Sequence, residues 1–133
     1  MTRVLRPGGV LAFSTHAPEC WWETSDASFR VFPKRYTMGY RLEYWPRKGP
    51  EIQRMLVQTG LVDIQIRKLF WQDNFETGGK AYDFFASVSA SWWNAKFPPD
   101  KIAIIAKKTQ DYFEHKKVTQ ITHDIILANG RKP

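Results

Sequence analysis

The residue best placed to move a proton is His16, which follows the apolar run Val10 to Thr15 and would sit just past the end of a strand. An imidazole with an unperturbed pKa of about 6.5 can take a proton from a hydroxyl or amine nucleophile at neutral pH. A loop histidine also serves simply to bond backbone, and the sequence leaves both roles open. Thr15, the other polar group at that strand end, joins it as a candidate substrate contact. Large rings form the second group: Trp21-Trp22, Trp92-Trp93, Tyr36 and Tyr40 could wall a pocket or stack on a planar molecule. Each ring could equally pack a flap against the core. Cys20 has no sequence neighbour that would activate a thiolate. With His16, His115 and His123 it shows no metal-ligand spacing, so no metal site is expected.

Composition narrows the classes. The chain has 133 residues, enough for one modest domain or part of a larger one. Its hydrophobic share of 43% with 25% charged residues is that of a globular protein, while six Trp and 15% aromatics point to something concave and apolar. A single cysteine cannot form an internal disulfide and favours a reducing, cytoplasmic compartment. Pro7-Gly8-Gly9 interrupts the only early apolar run, so neither a targeting signal nor a membrane span is read. The net charge of +7 is spread over Arg30 to Lys48, Lys101 to Lys117 and Arg131-Lys132 rather than gathered in one block, which disfavours nucleic acid as the partner.

The elements that must position these residues follow from pattern. Arg3 to Arg6 reads as the last turn of a helix, Pro7-Gly8-Gly9 as its stop, and Val10 to Thr15 as a strand covered on both faces. Ala17 to Lys48 shows no sustained period and reads as an ordered flap with at most one helical turn. Pro50 opens a helix in which Ile52, Met55, Leu56 and Thr59 share a stripe, and Gly60 ends it. Leu61 to Leu69 alternates as a half-buried strand, and Phe70 to Gly79 reads as a connector. Lys80 to Asn94 and Lys101 to His115 carry helical stripes, split by Pro98-Pro99-Asp100. From Val118 to Ala128, one row of Ile121, His123, Ile125 and Leu127 alternates with another of Thr122, Asp124, Ile126 and Ala128. That is a final strand.

Leu5-Arg6-Pro7-Gly8-Gly9-Val10-Leu11 resembles the "L-(K/R)-P-G-G-x-L" segment before the fifth strand of class I S-adenosylmethionine-dependent methyltransferases of the type 11 kind. The ending Ala128 to Pro133, "A-x-G-R-K-P", is similar to the ends of many bacterial members. The resemblance implies an α/β fold, the C-terminal part of a Rossmann-like methyltransferase sheet. Its fifth and sixth strands are parallel and its seventh returns antiparallel between them, with a helical, aromatic-rich lid insertion. It divides residues 1–133 into a helix end and strand (1–16), a flap (17–48), a helix and strand (49–70), a helical lid (71–117) and an antiparallel strand with its tail (118–133). It further implies S-adenosylmethionine as cofactor and a small-molecule methyl acceptor. The sequence departs from the family in having no Gly-x-Gly-x-Gly turn after a first strand and no acidic residue closing a second one. Cofactor-binding residues therefore cannot be assigned, and the missing N-terminal half of the domain, or a second copy, is the implied partner.

Ligands of open α/β sheets sit beyond the carboxyl ends of the parallel strands, the edge from which both ring-rich insertions leave. A lid there suits an apolar or aromatic acceptor, since ring burial at roughly 25 cal/mol per Å2 supplies binding energy. Two other readings remain open. A basic, Trp-rich chain could stack on single-stranded nucleic acid, although its strands carry aliphatic residues where rings would be needed. A chain with an apolar first strand at a sheet edge could instead be a non-catalytic interaction or dimerisation module.

Overall fold

The computed structural model describes residues 2–32 and 48–133, excepting the side chains of Trp92 and Lys96. A 3-10 turn at Thr2–Val4 precedes strand β1 (Val10–His16), helix α1 (Trp22–Val31), helix α2 (Gly49–Gln58) and strand β2 (Val62–Asn74). Helices α3 (Gly78–Lys96) and α4 (Pro99–His115) and strand β3 (Gln120–Arg131) complete a mixed α/β chain. The sheet order is β1-β3-β2. β1 pairs antiparallel with β3, Val10 opposite Arg131 through His16 opposite Ile125. Across the other side, Asp63 meets Arg131, Gln65 meets Asn129, Gln72 meets Thr122 and Asn74 meets Gln120, numbers that rise on β2 as they fall on β3. β2 is therefore antiparallel to β3 as well, and β3 returns between two strands that share a direction.

The described residues fall into two compact units. The first holds the chain up to Cys20, from Lys48 to Trp71 and from His123 onward. Its core gathers Ala17, Ile52, Leu56, Leu61, Ile126 and Ala128, with Leu11, Phe13, Ile64 and Ile66 packed against them. Ile52 and Leu56 lie four apart on α2 and so face the sheet together, and Pro50 in the first turn gives up no hydrogen bond. Gly60, at φ 77°, ends that helix with a left-handed turn closed to an L side chain. Gly8, at φ 78°, does the same work in the turn before β1, where its N–H donates to the Lys132 carbonyl at 2.9 Å. Lys132 answers with its own N–H to Gly9 O (2.9 Å) and its Nζ to Leu5 O (2.8 Å), which fastens the chain's last residues to its first. β1 departs from the expected doubly covered strand. Leu11 and Phe13 pack into the core, whereas Val10 (58% exposed), Ala12, Ser14 and His16 alternate with them on a bare face, because the core packs on one face only.

The second unit holds Trp21 to Phe32 and Gln72 to Thr122. Both α1 and α3 pack on α4. Phe85 stacks on Phe113 (centroids 5.7 Å), and Phe32 meets Phe97 edge-on (5.2 Å), within a core that also holds Ala27, Ala81, Trp93, Ile105 and Ile121. α1 corrects the expectation of an irregular flap: 22–31 is a ten-residue helix. Its sequence, rich in Ser, Thr and Asp, is a weak helix former by itself. Side chains answer this locally: Thr24 Oγ1 donates to Trp21 O, Ser28 Oγ to Thr24 O, and Arg30 Nε to both Asp26 oxygens. The remaining flap, 33–47, including Tyr36 and Tyr40, lies outside the described residues. The expected connector after residue 69 is likewise corrected: β2 runs on to Asn74, held by the first residues of β3. β3 itself begins at Gln120 and continues to Arg131 rather than ending at Ala128. Among the described residues no helix is long and apolar enough to cross a membrane.

Candidate functional site

In the first unit the end of β1 presents its two candidates on opposite faces of the sheet. Directly opposed residues of paired strands share a face, so Thr15, opposite Ile126, lies with the core row, and His16, opposite Ile125, lies on the bare one. His16 is exposed. On its face β3 also carries His123, whose ring stacks on Trp71 at 4.5 Å with planes 4° apart.

One residue beyond β1, the Ala17 N–H donates to the Asp124 carbonyl at 2.8 Å, and Cys20 N–H folds back to Ala17 O (3.1 Å), with the Cys20 side chain buried. Asp124 follows the inward row of β3, with Thr122 before it and Ile126 after it, and its side chain is 0% exposed. Lys68 Nζ lies 3.1 Å from Oδ1, close enough for charge attraction. Among the described residues neither carboxylate oxygen has an aligned hydrogen-bond donor. The ammonium comes from a side chain that is 57% exposed. A fully desolvated carboxylate is thus met by a lysine that is mostly in water. Neither residue was singled out from sequence, although the alternation of β3 already put Asp124 in one row with Thr122, Ile126 and Ala128.

In the second unit Trp21 and Glu23 are both tied to Thr122. The Trp21 N–H donates to Thr122 O (2.7 Å), Thr122 N–H donates to Glu23 Oε2 (3.1 Å), and Thr122 Oγ1 donates to Glu23 Oε1 (2.5 Å). Gln72 Nε2 completes the cluster by donating to Thr122 Oγ1 at 3.2 Å. Trp21 takes the left-handed conformation (φ 56°) that turns the chain into α1, and its ring packs edge-on against Phe84. Trp22 is 55% exposed, and Phe29, seven residues on and hence on the same helix face, is 60% exposed. Trp93 is placed differently: it is 4% exposed, set edge-on to Phe32 and Phe85, and its indole N–H is buried with no acceptor. Its ring fills core rather than facing a ligand. Trp92 lies in α3, with its side chain outside the described residues.

A separate concavity of about 410 Å3 opens at the start of α3, lined by Glu76, Glu114, Lys117 and Thr119 with Thr77, Gly78 and Gly79. Its lining residues are glycine, threonine and charged side chains, with no ring among them. Thr77 caps the helix by accepting from Lys80 N–H at 3.2 Å. On the α1–α4 contact, Tyr112 Oη donates to Asp26 Oδ2 at 2.5 Å. That bond, and then the Arg30 guanidinium, hold the Asp26 carboxyl below its ordinary value. Burial, followed by the Asp26 bond, pushes the Tyr112 phenol up. This is a helix clamp. Among the described residues no three His, Cys, Asp or Glu side chains gather as a metal set.

Gly78 and the Gly8-Gly9 turn are engaged by the fold itself. A Cβ on Gly78 would lie 2.3 Å from Phe113 O, and the Gly8-Gly9 turn is bonded to Lys132. The described residues thus do not fit the methionine and ribose parts of S-adenosylmethionine by themselves.

Neither protein-family models nor curated proteins give a match to this chain. Among solved structures it is similar to phosphoethanolamine N-methyltransferase 2 of Haemonchus contortus, in complex with phosphomonomethylethanolamine and S-adenosylhomocysteine. The identity is 14% and the TM-score 0.39, over 99% of this chain and 28% of that one. The chain spans little more than a quarter of the length of that enzyme.

Proposed function

We propose that this chain supplies the substrate-side part of an S-adenosylmethionine-dependent methyltransferase that acts on an apolar or aromatic small molecule. The observation that carries the reading is the strand order β1-β3-β2, with β3 returning antiparallel between two strands of common direction, entered through the Pro7-Gly8-Gly9 turn. When bound, the cofactor supplies an electrophilic methyl group; its cradle belongs to an N-terminal half of the domain or to a second copy. This chain's contribution is to bind and orient the acceptor. Methyl transfer needs an aligned nucleophile more than a strong base, so positioning is the chief catalytic term. The exposed Trp22 and Phe29 on α1 offer rings for an apolar acceptor to cover, which also excludes water. Within the first unit, His16, on the exposed face at the end of β1, is the candidate to accept a proton.

The test is to join this chain to the coding sequence in frame upstream of codon 1, titrate the product with S-adenosylhomocysteine, and assay transfer of labelled methyl groups to small hydroxyl and amine acceptors. A second reading, a dimerisation module, is favoured by the bare face of β1. It requires concentration-dependent sedimentation of the chain, which the first reading does not when the cradle lies in an N-terminal half.

A further inference from the structure

We propose that Asp124 anchors a binding site for a small ammonium or amine, and that Lys68 is its displaceable cover. This concerns charge recognition and holds whether or not the chain serves methyl transfer. An ionised carboxylate with no water contact is costly unless hydrogen bonds satisfy its oxygens, and it can accept about four. Among the described residues Asp124 has none from an aligned donor and a single ammonium 3.1 Å from one oxygen.

The carboxylate cannot relieve this by turning out to solvent. It stands on the central strand of the sheet, its own carbonyl held by Ala17 N–H at 2.8 Å and its side chain wholly buried. Lys68 is free to move: more than half of its side chain is in water, and its ammonium is a point charge on a flexible four-carbon stem. Swinging it away opens a fixed anionic group beside the carboxyl end of β1, on the face that Thr15 shares. A ligand nitrogen carrying two or three N–H donors would give the carboxylate the aligned bonds that Lys68 does not. The ligand class is therefore cationic or N–H-bearing, and anions are excluded by the fixed charge.

The test uses nitrogen-15 amide spectra of the chain titrated with methylammonium chloride, with sodium chloride as the ionic-strength control, in wild type, Lys68→Met and Asp124→Asn. Methylammonium is expected to shift the amides of Ala17, Lys68 and Asp124 where sodium does not. Lys68→Met, which removes the internal competitor, should bind several-fold tighter, and Asp124→Asn should lose the shifts. Absence of a methylammonium-specific shift in both wild type and Lys68→Met would overturn the proposal and leave a structural ion pair. Unchanged shifts in a folded Asp124→Asn would overturn it too. Should Asp124→Asn fail to fold, the wild-type and Lys68→Met comparison still decides.

Discussion

Replacing Glu23 by Gln removes one charge and almost no volume, and so isolates what its carboxylate does. Glu23 is 7% exposed and receives two bonds from one residue, the Thr122 N–H on Oε2 and the Thr122 hydroxyl on Oε1. A carboxamide offers one acceptor oxygen, so one of those donors must face an NH2 group. The hydroxyl could turn round to accept from that NH2 with its second lone pair, beside the Gln72 bond, but its own O–H then loses the acceptor it had in Glu23 Oε1. Losing one buried, charge-assisted bond of this kind costs about 1.5–3 kcal/mol. Thr122→Val keeps the N–H bond but loses the hydroxyl bond to the carboxylate and the acceptor of Gln72, for about 1.5–3 kcal/mol. The double variant should cost less than the sum, because both changes strike one bond, with a coupling of about 0.5–3 kcal/mol. Urea unfolding followed by far-ultraviolet circular dichroism and Trp fluorescence measures all three. Glu23→Gln lying within about 0.5 kcal/mol of wild type, the range of an ordinary surface change, would refute the reasoning. Since Glu23 and the Trp21 N–H both hold the start of α1 to Thr122, the same variant should also loosen the presentation of Trp22.

Gly78→Ala should destabilise by about 3 kcal/mol, the upper end for overpacking, because its Cβ would meet the Phe113 carbonyl, which cannot rotate aside; thermal unfolding checks this. The Asp26–Tyr112 clamp predicts a pH window. Asp26, held below its ordinary 3.8, contributes stability that is present above that value and lost as pH falls through the depressed one. Tyr112, raised above 10.0, contributes stability that is present below that value and lost as pH rises through the raised one. The stability difference between wild type and Tyr112→Phe, measured by urea unfolding, should therefore be largest near neutrality and shrink at both extremes; a difference flat in pH would rule the clamp out. In the joined enzyme, Trp22→Ala with Phe29→Ala should raise KM for an apolar acceptor about tenfold or more, from the loss of two ring contacts of about 1 kcal/mol each, while leaving the unfolding midpoint nearly unchanged.

The elements whose residues settle their own conformation were readable in the sequence. Pro7-Gly8-Gly9 before β1, the Ile52 and Leu56 spacing with its Gly60 stop, and the alternation of β3 are local chemistry. α1 was not readable because Thr24, Ser25, Asp26 and Ser28 carry little helical preference. The bonds that hold them include Thr122 and Tyr112, about a hundred positions away in the chain. The end of β2 was hidden for the same reason, as residues 70–74 become strand only when β3 lies beside them. At the site, alternation placed Asp124 in one row with Thr122, Ile126 and Ala128 but could not tell that the row is buried at that point, nor that Lys68 reaches it. Strand register decided that Thr15 and His16 part to opposite faces. For Trp93, a core ring and a pocket wall read identically in sequence, and only the rings of Phe32, Phe85 and Phe97 around it distinguish them.

The central claim is that this chain completes a methyltransferase by supplying its substrate side. The most direct measurement is calorimetric titration with S-adenosylhomocysteine of the chain alone and of the chain joined to its upstream coding sequence. The account predicts one-to-one binding by the joined protein and none by the chain alone, in which Gly78 abuts Phe113 and the Gly8-Gly9 turn is bonded to Lys132. A joined protein that binds no S-adenosylhomocysteine, or an in-frame stop immediately before codon 1 together with a lone chain that binds none in any oligomeric state, would contradict it.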